Sequence, residues 1–158
     1  MSYRAAPESF GFLITDLSRL IRVEFDRRVA SSGLGITAGE ARTLVHVARN
    51  EGERQNVIAE RMGIEAMTLS GFIDRLEARE LVVRETDPSD RRAKKIFTTE
   101  SSGEALAAIY ELASSLRDQA LEGVAPPERE VLFEMLRHAR GNLLAMKAAS
   151  CGREIDAA

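Results

Sequence analysis

The sequence has few of the residues that zinc sites, disulfide-bonded domains and most enzymes depend on. Of its 158 residues, one is cysteine, two are histidine and none is tryptophan. One cysteine cannot form an internal disulfide, and with two histidines it cannot complete a zinc finger, so we expect no metal or other cofactor. Aromatic residues make up 5%, which argues against a β-sandwich. Because no phosphate-binding glycine loop or catalytic trio is present, the chain is not expected to be an enzyme.

Long hydrophobic runs are also missing. No stretch approaches the roughly 18 apolar residues of a membrane span, and the chain does not open with the apolar core of a signal peptide. The composition is 44% hydrophobic and 30% charged, as helix-rich globular proteins often show. We therefore expect a soluble, cytoplasmic protein with no membrane partner, built as one compact domain or as one domain plus an assembly element.

Positive charge is scarce overall but concentrated locally. The net charge is −3, which alone does not favour a nucleic-acid partner. Residues 1–53 hold 7 basic and 7 acidic side chains, residues 54–99 hold 9 and 8, and residues 100–158 hold 6 and 10. Four basic side chains fall within five positions of the middle segment, namely Arg91, Arg92, Lys94 and Lys95.

The spacing of apolar residues predicts a mainly α-helical chain. Steps of three and four indicate a long amphipathic helix over about residues 8–31. Thr37 and Glu40 have the spacing of a capping box, which opens a second helix that stops at residues 50–52. A short helix over 55–62 and another over 66–79 flank a turn at Gly63. Two helices across a tight, glycine-containing turn are typical of a helix-turn-helix.

Beyond Arg79 the apolar period changes from 3.6 to 2. Strands are predicted over 81–85 and 95–99, with a turn-rich loop over 86–94. A hairpin directly behind a helix-turn-helix is a wing. Helices return after Thr99, one of them restarting at Pro126, and we expect the chain to fray after about Met146.

The helix over 66–79 is the candidate recognition helix. One arc is apolar, and the other can contact base edges or phosphates. The candidate contacts on this helix are Met67, Thr68, Ser70, Gly71 and Arg75. The alternative is an ordinary surface helix.

The basic cluster is expected at the tip of the wing. There, Arg91 and Arg92 could enter a narrow minor groove, with Lys94 beside them. We expect Asp90 to hold the side chain of Arg92 extended through a charge-assisted hydrogen bond. The alternative is a solvated charged turn, but the helix-turn-helix upstream favours DNA.

Three stretches carry a resemblance to a known family: residues 63–65 (Gly-Ile-Glu), 73–77 (Ile-Asp-Arg-Leu-Glu) and 87–94 (Asp-Pro-Ser-Asp-Arg-Arg-Ala-Lys). The chain resembles the MarR family of winged-helix regulators, and its SlyA branch in particular, over about residues 8–147. The resemblance implies a homodimeric transcription factor, dimerised through its first and last helices, that binds a pseudo-palindromic operator in double-stranded DNA. It also implies release by a small aromatic or phenolic effector, and we expect a repressor.

The resemblance assigns a role to each part of the chain. Residues 1–36 would form an N-terminal dimerisation helix, and 37–99 the winged helix-turn-helix DNA-binding domain. Residues 100–147 would form C-terminal dimerisation helices, and 148–158 a flexible tail.

Three positions depart from the family pattern. Glu80 stands where glycine is usual, so the helix before it must end in another way or tolerate strain. Gly71 stands where arginine is frequent, which removes a candidate DNA contact. Thr98 stands where leucine is usual, and we expect this departure to affect local packing only.

In SlyA-like proteins, basic residues on the first helix face a cleft where a carboxylate effector could bind. The candidate residues here are Arg19, Arg22, Leu20, Leu44, His46 and Phe72. In the alternative, Arg19 pairs with Asp16, and Arg22 pairs with Asp26 or Glu24. For His46 the alternative is a half-buried packing role.

A different class of function also fits a winged helix, since fold does not fix function. The chain could be a protein–protein adaptor without operator binding. An adaptor would show apolar residues where this sequence places arginines and hydroxyl groups.

Overall fold

The computed structural model describes the backbone of residues 9–155 and the side chains of residues 9–149. Within that range it contains six α-helices, one 3-10 helix and a three-stranded antiparallel sheet. The predicted fold class, mainly α with a β-hairpin wing, is confirmed. The chain forms two compact units that divide between Arg117 and Asp118.

The elements follow one another in this order: α1 Phe10–Ser31, α2 Ala38–Arg49, β1 Glu53–Arg54, α3 Gln55–Met62, α4 Ala66–Glu77, β2 Val82–Asp87, β3 Asp90–Thr98, a 3-10 helix Glu100–Ser102, α5 Gly103–Ala120 and α6 Pro126–Ile155.

The start of α2 is fixed by the predicted capping box. The hydroxyl of Thr37 accepts a hydrogen bond from the backbone N–H of Glu40 at 3.3 Å, and the Glu40 carboxylate accepts one from the N–H of Thr37 at 2.7 Å. Two otherwise unpaired donors of the first turn are thereby satisfied.

The core of the first unit lies among α2, α3, α4 and the sheet. Its fully buried large side chains include Leu44, Ile58, Leu69, Ile73, Leu76 and Ile96. The three from α4 are spaced by four and three residues, so they hold one face of that helix against the core and leave the opposite face outward.

The turn between α3 and α4 requires its glycine. Gly63 has φ of +63°, and the backbone N–H of Ile64 bonds the carbonyl of Ala59 at 3.1 Å. Only glycine adopts this left-handed conformation without a steric cost from Cβ. The predicted helix-turn-helix is therefore confirmed.

The wing differs from the prediction at its outer end. Residues 86–94 are not a loop, because β2 and β3 both continue into them and leave a turn of only Pro88 and Ser89. The register shifts between the pair Thr86–Lys94 and the pair Asp87–Asp90, so residues 91–93 form a bulge. The loop prediction was wrong because charged residues occupy both faces of this exposed end and hide the period of two.

A third strand, β1, was not predicted. It pairs Glu53 with Ile96 and Arg54 with Lys95, so β3 is the central strand. Two residues are too few to show a period. The end of β3 is also bound to the turn before β1, because the backbone N–H and the hydroxyl of Thr98 both donate to the Glu51 carboxylate. Thr98 therefore acts within the fold, and the expectation that this departure has a local effect only stays a prediction.

The end of α4 tolerates strain rather than avoiding it. Glu80 has φ of +59°, in the left-handed region. Its N–H bonds the carbonyl of Glu77 at 2.9 Å, and the N–H of Leu81 bonds the carbonyl of Leu76 at 3.0 Å. These are the two hydrogen bonds of a Schellman motif, in which glycine usually occupies the position of Glu80.

The second unit consists of the end of α5, a short connection and α6. Arg129 donates to the carbonyls of Leu121 and Val124, each at 2.8 Å, and so fastens the connection to the first turn of α6. The helix continues to Ile155, past the predicted end near Met146. The remainder of the predicted tail, residues 156–158, lies outside the described residues, as do residues 1–8. Over residues 9–155, no helix combines the length and apolarity needed to cross a membrane.

Candidate nucleic-acid interface

The outward face of α4 carries the predicted contact residues. Met67 is 86% exposed and Thr68 is exposed, both in the first turn, whereas Ser70 and Gly71 are half-buried. A Cβ added at Gly71 would meet only the Nη1 atom of Arg75, at 3.5 Å. Packing around the Cβ position therefore does not require a glycine here.

The guanidinium of Arg75 makes contacts within the protein. Its Nε donates to the buried carboxylate of Glu40 on α2, and its guanidinium lies 5.3 Å from the centre of the Phe72 ring. Burial would raise the pKa of Glu40, but the hydrogen bonds from Thr37 and Arg75 outweigh burial, so the pKa is lowered and the carboxylate stays ionised. Arg75 thus links α4, the candidate recognition helix, to the start of α2.

Two unpaired cations lie beside the wing turn. The side chains of Arg91 and Arg92 are exposed, and neither makes a hydrogen bond or ion pair with any residue that the structure describes. Lys94 donates to the hydroxyl of Thr86 at 2.9 Å. Asp90 does not hold the guanidinium of Arg92 as expected. Its carboxylate instead accepts the backbone N–H of Arg92 at 3.1 Å, and so shapes the bulge.

The wing turn is anchored by residues that sequence analysis did not single out. The buried carboxylate of Asp87 accepts the N–H and the hydroxyl of Ser89, at 2.8 and 2.7 Å, and the Nε of Arg54 at 2.8 Å. The hydrogen bonds from Ser89, followed by that from Arg54, hold the pKa of Asp87 well below its ordinary value. The sequence Asp-Pro-Ser is a recognisable turn signal of this kind, but nothing in the sequence connects it to Arg54.

A groove of about 440 Å³ runs between the wing and the starts of α3 and α4. It is lined by Arg54, Gln55, Asn56, Ala66, Asp90, Arg92, Ala93 and Lys94. Three cations and two amides face one carboxylate, which suits a phosphate backbone. Of the predicted contacts, Asp90, Arg92 and Lys94 meet here.

A second cavity, of about 250 Å³, contains half of the predicted effector residues. Its lining is Arg22, Gly39, Arg42, His46, Arg61, Met62, Ile64 and Phe72. Arg22, His46 and Phe72 are therefore brought together. Leu44 is fully buried in the core, Leu20 is exposed on α1, and Arg19 pairs with Asp16 at 2.6 Å, so these three do not line the cavity.

The cavity is cationic, and one of its arginines is unpaired. Arg42 pairs with Asp26, and Arg61 donates to Asn50 and Glu53 at 2.7 and 2.8 Å. Arg22 has no hydrogen bond or ion pair within residues 9–149, because Asp26 is taken by Arg42, and Glu24 by Arg27 and Arg28.

His46 adds a titratable group to this cavity. It is half-buried, and burial, followed by the charges of Arg49 and Arg61, lowers its pKa. It is therefore neutral at pH 7, where the cavity holds the charges of the three arginines.

Residues 34–93 match the model of the MarR family. The transcriptional regulator PA3341 is 30% identical, over 87% of this chain and 99% of that one, with a TM-score of 0.69. This chain belongs to the MarR family.

A crystal structure of MarR itself gives a TM-score of 0.79 at 22% identity, over 93% of this chain and 99% of that one. The transcriptional repressor CouR, solved bound to a 23-mer DNA duplex, is 26% identical over 89% of this chain and 98% of its own, with a TM-score of 0.69. The fold is therefore that of MarR-type transcriptional regulators, while assignment to the SlyA branch stays a prediction.

Proposed function

We propose that this protein is a homodimeric, sequence-specific DNA-binding repressor that is released by a small aromatic carboxylate. The proposal of DNA binding rests on one observation. The guanidinium groups of Arg91 and Arg92 are exposed and unpaired, and they lie beside an anchored wing turn. Guanidinium groups in this position gain from the negative potential of a narrow minor groove. CouR, a similar repressor, was solved with duplex DNA, which supports both DNA binding and repression.

The outward face of α4 supports major-groove recognition. Met67 and Thr68 project from its first turn, where recognition helices usually contact base edges, and a thymine methyl group suits either side chain. Between Ala66 and Thr98, the large apolar side chains that are exposed are Met67 and Val83. A protein–protein adaptor would present a larger apolar patch on this surface, so we favour DNA.

The test of DNA binding is selection of bound sequences from a random duplex pool, followed by titration of the selected site over a range of salt concentrations. A DNA binder loses affinity steeply as salt rises, because phosphate contacts release counterions. Arg92→Ala should weaken binding by more than about 1 kcal/mol and leave the oligomeric state unchanged. The matched control is Arg27→Ala, which removes an exposed arginine paired with Glu24 on α1. Wild-type affinity in Arg92→Ala would refute the role of the wing, and failure to select any sequence would favour the adaptor.

The homodimer is proposed from apolar side chains that each unit leaves exposed. On α1, Phe10 and Phe12 are 63% and 68% exposed, and Leu13, Leu17, Leu20 and Ile21 follow along the helix. On α6, the exposed apolar side chains are Val131, Leu132, Met135, Leu136, Leu143, Leu144 and Met146.

A second copy related by twofold symmetry would cover such surfaces. It would place two recognition helices about 34–36 Å apart, one turn of DNA, which matches a pseudo-palindrome. Light scattering coupled to gel filtration tests this. A monomer at micromolar concentration would contradict it.

The effector is proposed from the cavity beside α4. Unpaired Arg22 offers a partner for a carboxylate, and Met62, Ile64 and Phe72 offer apolar contacts for a ring. Because Phe72 belongs to the recognition helix, a ligand against its ring would contact that helix directly. We infer that such a ligand changes the spacing of the two DNA-reading heads and weakens operator binding.

Calorimetry with salicylate as the probe tests this assignment. Arg22→Ala should weaken salicylate binding about tenfold, as expected for loss of a charge-assisted pair. Arg19→Ala is the matched control, since this arginine lies one turn away, pairs with Asp16 and does not line the cavity. Equal binding by wild type and Arg22→Ala would exclude Arg22 from the site.

A further inference from the structure

We propose that Arg84, on β2, is a positioning residue for DNA binding, because it pairs with two carboxylates of the recognition helix, offsets part of their negative charge and ties that helix to the wing. The proposal rests on the DNA-binding function proposed above and adds a residue outside the expected contact set. Arg84 belongs to neither the basic cluster of the wing nor the cationic cavity.

Arg84 forms close ion pairs with two acidic residues of α4. Its Nη2 lies 2.5 Å from Oδ1 of Asp74, and its Nη1 lies 2.5 Å from Oε2 of Glu77. The backbone N–H of Arg84 donates to the other Glu77 oxygen at 3.1 Å. The Arg84 side chain is only 17% exposed, so these pairs are screened less by solvent than ordinary surface pairs.

The same guanidinium reaches two further acceptors. Nη2 lies 3.4 Å from the carbonyl oxygen of Ser70, and Nε lies 3.4 Å from Oε1 of Gln55 at the start of α3. Positions 70, 74 and 77 follow one another along one face of α4. Arg84 therefore spans two turns of the recognition helix and also touches α3. Rotation of α4 against the wing would break several of these contacts together.

The two carboxylates need a neutralising partner because they border the surface that would meet DNA. Asp74 and Glu77 are 62% and 39% exposed, and Asp74 lies one turn beyond Ser70 and Gly71 on α4. Uncompensated negative charge within a Debye length of a phosphate, about 10 Å at 0.1 M salt, is repulsive. Arg84 offsets one of these two negative charges from inside the fold, and the arginines at the tip of the wing stay unpaired and available for phosphate.

The experiment compares full-length variants on one selected duplex at about 0.1 M and about 0.5 M salt. Arg84→Gln should lower affinity roughly tenfold at the lower salt, and the deficit should shrink at the higher salt because the repulsion is screened. Arg84→Gln combined with Asp74→Asn and Glu77→Gln should recover most of the loss, because it removes the exposed carboxylates and keeps groups that can form hydrogen bonds. Arg27→Gln, which breaks an exposed pair on α1 with the same change in charge, should bind like wild type.

Two results would overturn the proposal. One is Arg84→Gln binding as tightly as wild type, and the other is the triple variant remaining as weak as Arg84→Gln while both melt cooperatively. The result for the triple variant distinguishes an electrostatic role of Arg84 from general damage to the fold. If the wild-type chain itself showed no salt-dependent binding to any duplex, the proposed function would fail first, and the role of Arg84 would fail with it.

Discussion

Replacing Glu80 with glycine should stabilise the protein. Glu80 adopts φ of +59°, and it is the one residue other than glycine with positive φ in the described range of 9–155. The Schellman hydrogen bonds from Glu80 and Leu81 fix this conformation. In the left-handed region the Cβ of an L-residue crowds the following carbonyl oxygen. Glycine has no Cβ, so Glu80→Gly removes the strain and keeps every backbone hydrogen bond of the motif.

The gain in stability is the difference between the relief of backbone strain and the extra backbone entropy that glycine loses on folding. The left-handed conformation costs an L-residue about 1–2 kcal/mol, whereas glycine loses about 0.5–1 kcal/mol more backbone entropy on folding. The net gain should be about 0.5–1 kcal/mol. For a chain of 158 residues that corresponds to a rise in melting temperature of roughly 1–4 °C.

Urea denaturation at fixed protein concentration measures this gain, since an oligomer's stability depends on concentration. Glu80→Ala is the control, because it removes the carboxylate but keeps the Cβ and therefore the strain. The carbonyl of Glu80 accepts the hydroxyl of Thr99 in wild type, and neither variant alters that acceptor. If Glu80→Ala gained as much as Glu80→Gly, the side chain and not φ would be the cause, and the reasoning would be refuted.

Three further predictions concern the cavity and the wing. Gly39→Ala should push the Phe72 ring into the cavity and weaken salicylate binding in calorimetry, because a Cβ there would clash with the far end of that ring; binding equal to that of wild type would contradict this. Salicylate should bind more tightly as pH falls from about 7 to about 5, because protonation of His46, whose pKa is lowered in the free protein, adds positive charge to the cavity; His46→Gln should flatten that dependence in calorimetry. Hydrogen bonds within the wing turn, followed by that from Arg54, lower the pKa of Asp87. The contribution of the ionised Asp87 carboxylate to the free energy of unfolding is therefore complete above about pH 5, and it declines as pH falls below the ordinary aspartate pKa of about 3.9. The stability difference between wild type and Asp87→Asn should therefore narrow on acidification, and a difference that stays constant down to about pH 2 would show that the charge of Asp87 is not responsible.

The helices could be predicted from sequence because local signals determine them. The apolar face of α4 repeats with the helical period, the capping box at Thr37 and Glu40 marks the start of α2, and Gly63 marks a left-handed turn. Each signal lies within a few residues of the structure it specifies. These are also the elements that the hydrophobic core fixes in place, so periodicity and packing agree.

The ion pairs of the winged helix-turn-helix could not be predicted, because the paired residues are distant in sequence. Arg54 meets Asp87 33 residues later, and Arg75 meets Glu40 35 residues earlier. A charged residue in isolation gives no indication of its partner, and a solvated charge and an ion pair look alike in sequence. The conformation of Glu80 was left open for a related reason, since the position of a missing glycine indicates strain only once the backbone is known.

The charge distribution of the winged helix-turn-helix bears on why the proposed dimer would be needed for DNA binding. Most arginines between residues 54 and 84 are engaged with acidic groups of the fold, including Arg54 with Asp87 and Arg75 with Glu40. If the unpaired guanidinium groups of Arg91 and Arg92, together with Lys94, supply the main ionic contacts at the wing, each winged helix-turn-helix neutralises about two or three phosphates. Since each neutralised phosphate contributes about 0.9 to the slope of log affinity against log salt, one head should give a slope of roughly −2 to −3, and a dimer engaging both heads about twice that. If the protein is the proposed homodimer, a single winged helix-turn-helix should bind weakly at physiological salt, and occupancy of an operator should depend on both copies binding together through the effective concentration that dimerisation provides. A ligand that changes only the spacing between the heads would then suffice to release the protein, without touching any residue that contacts DNA.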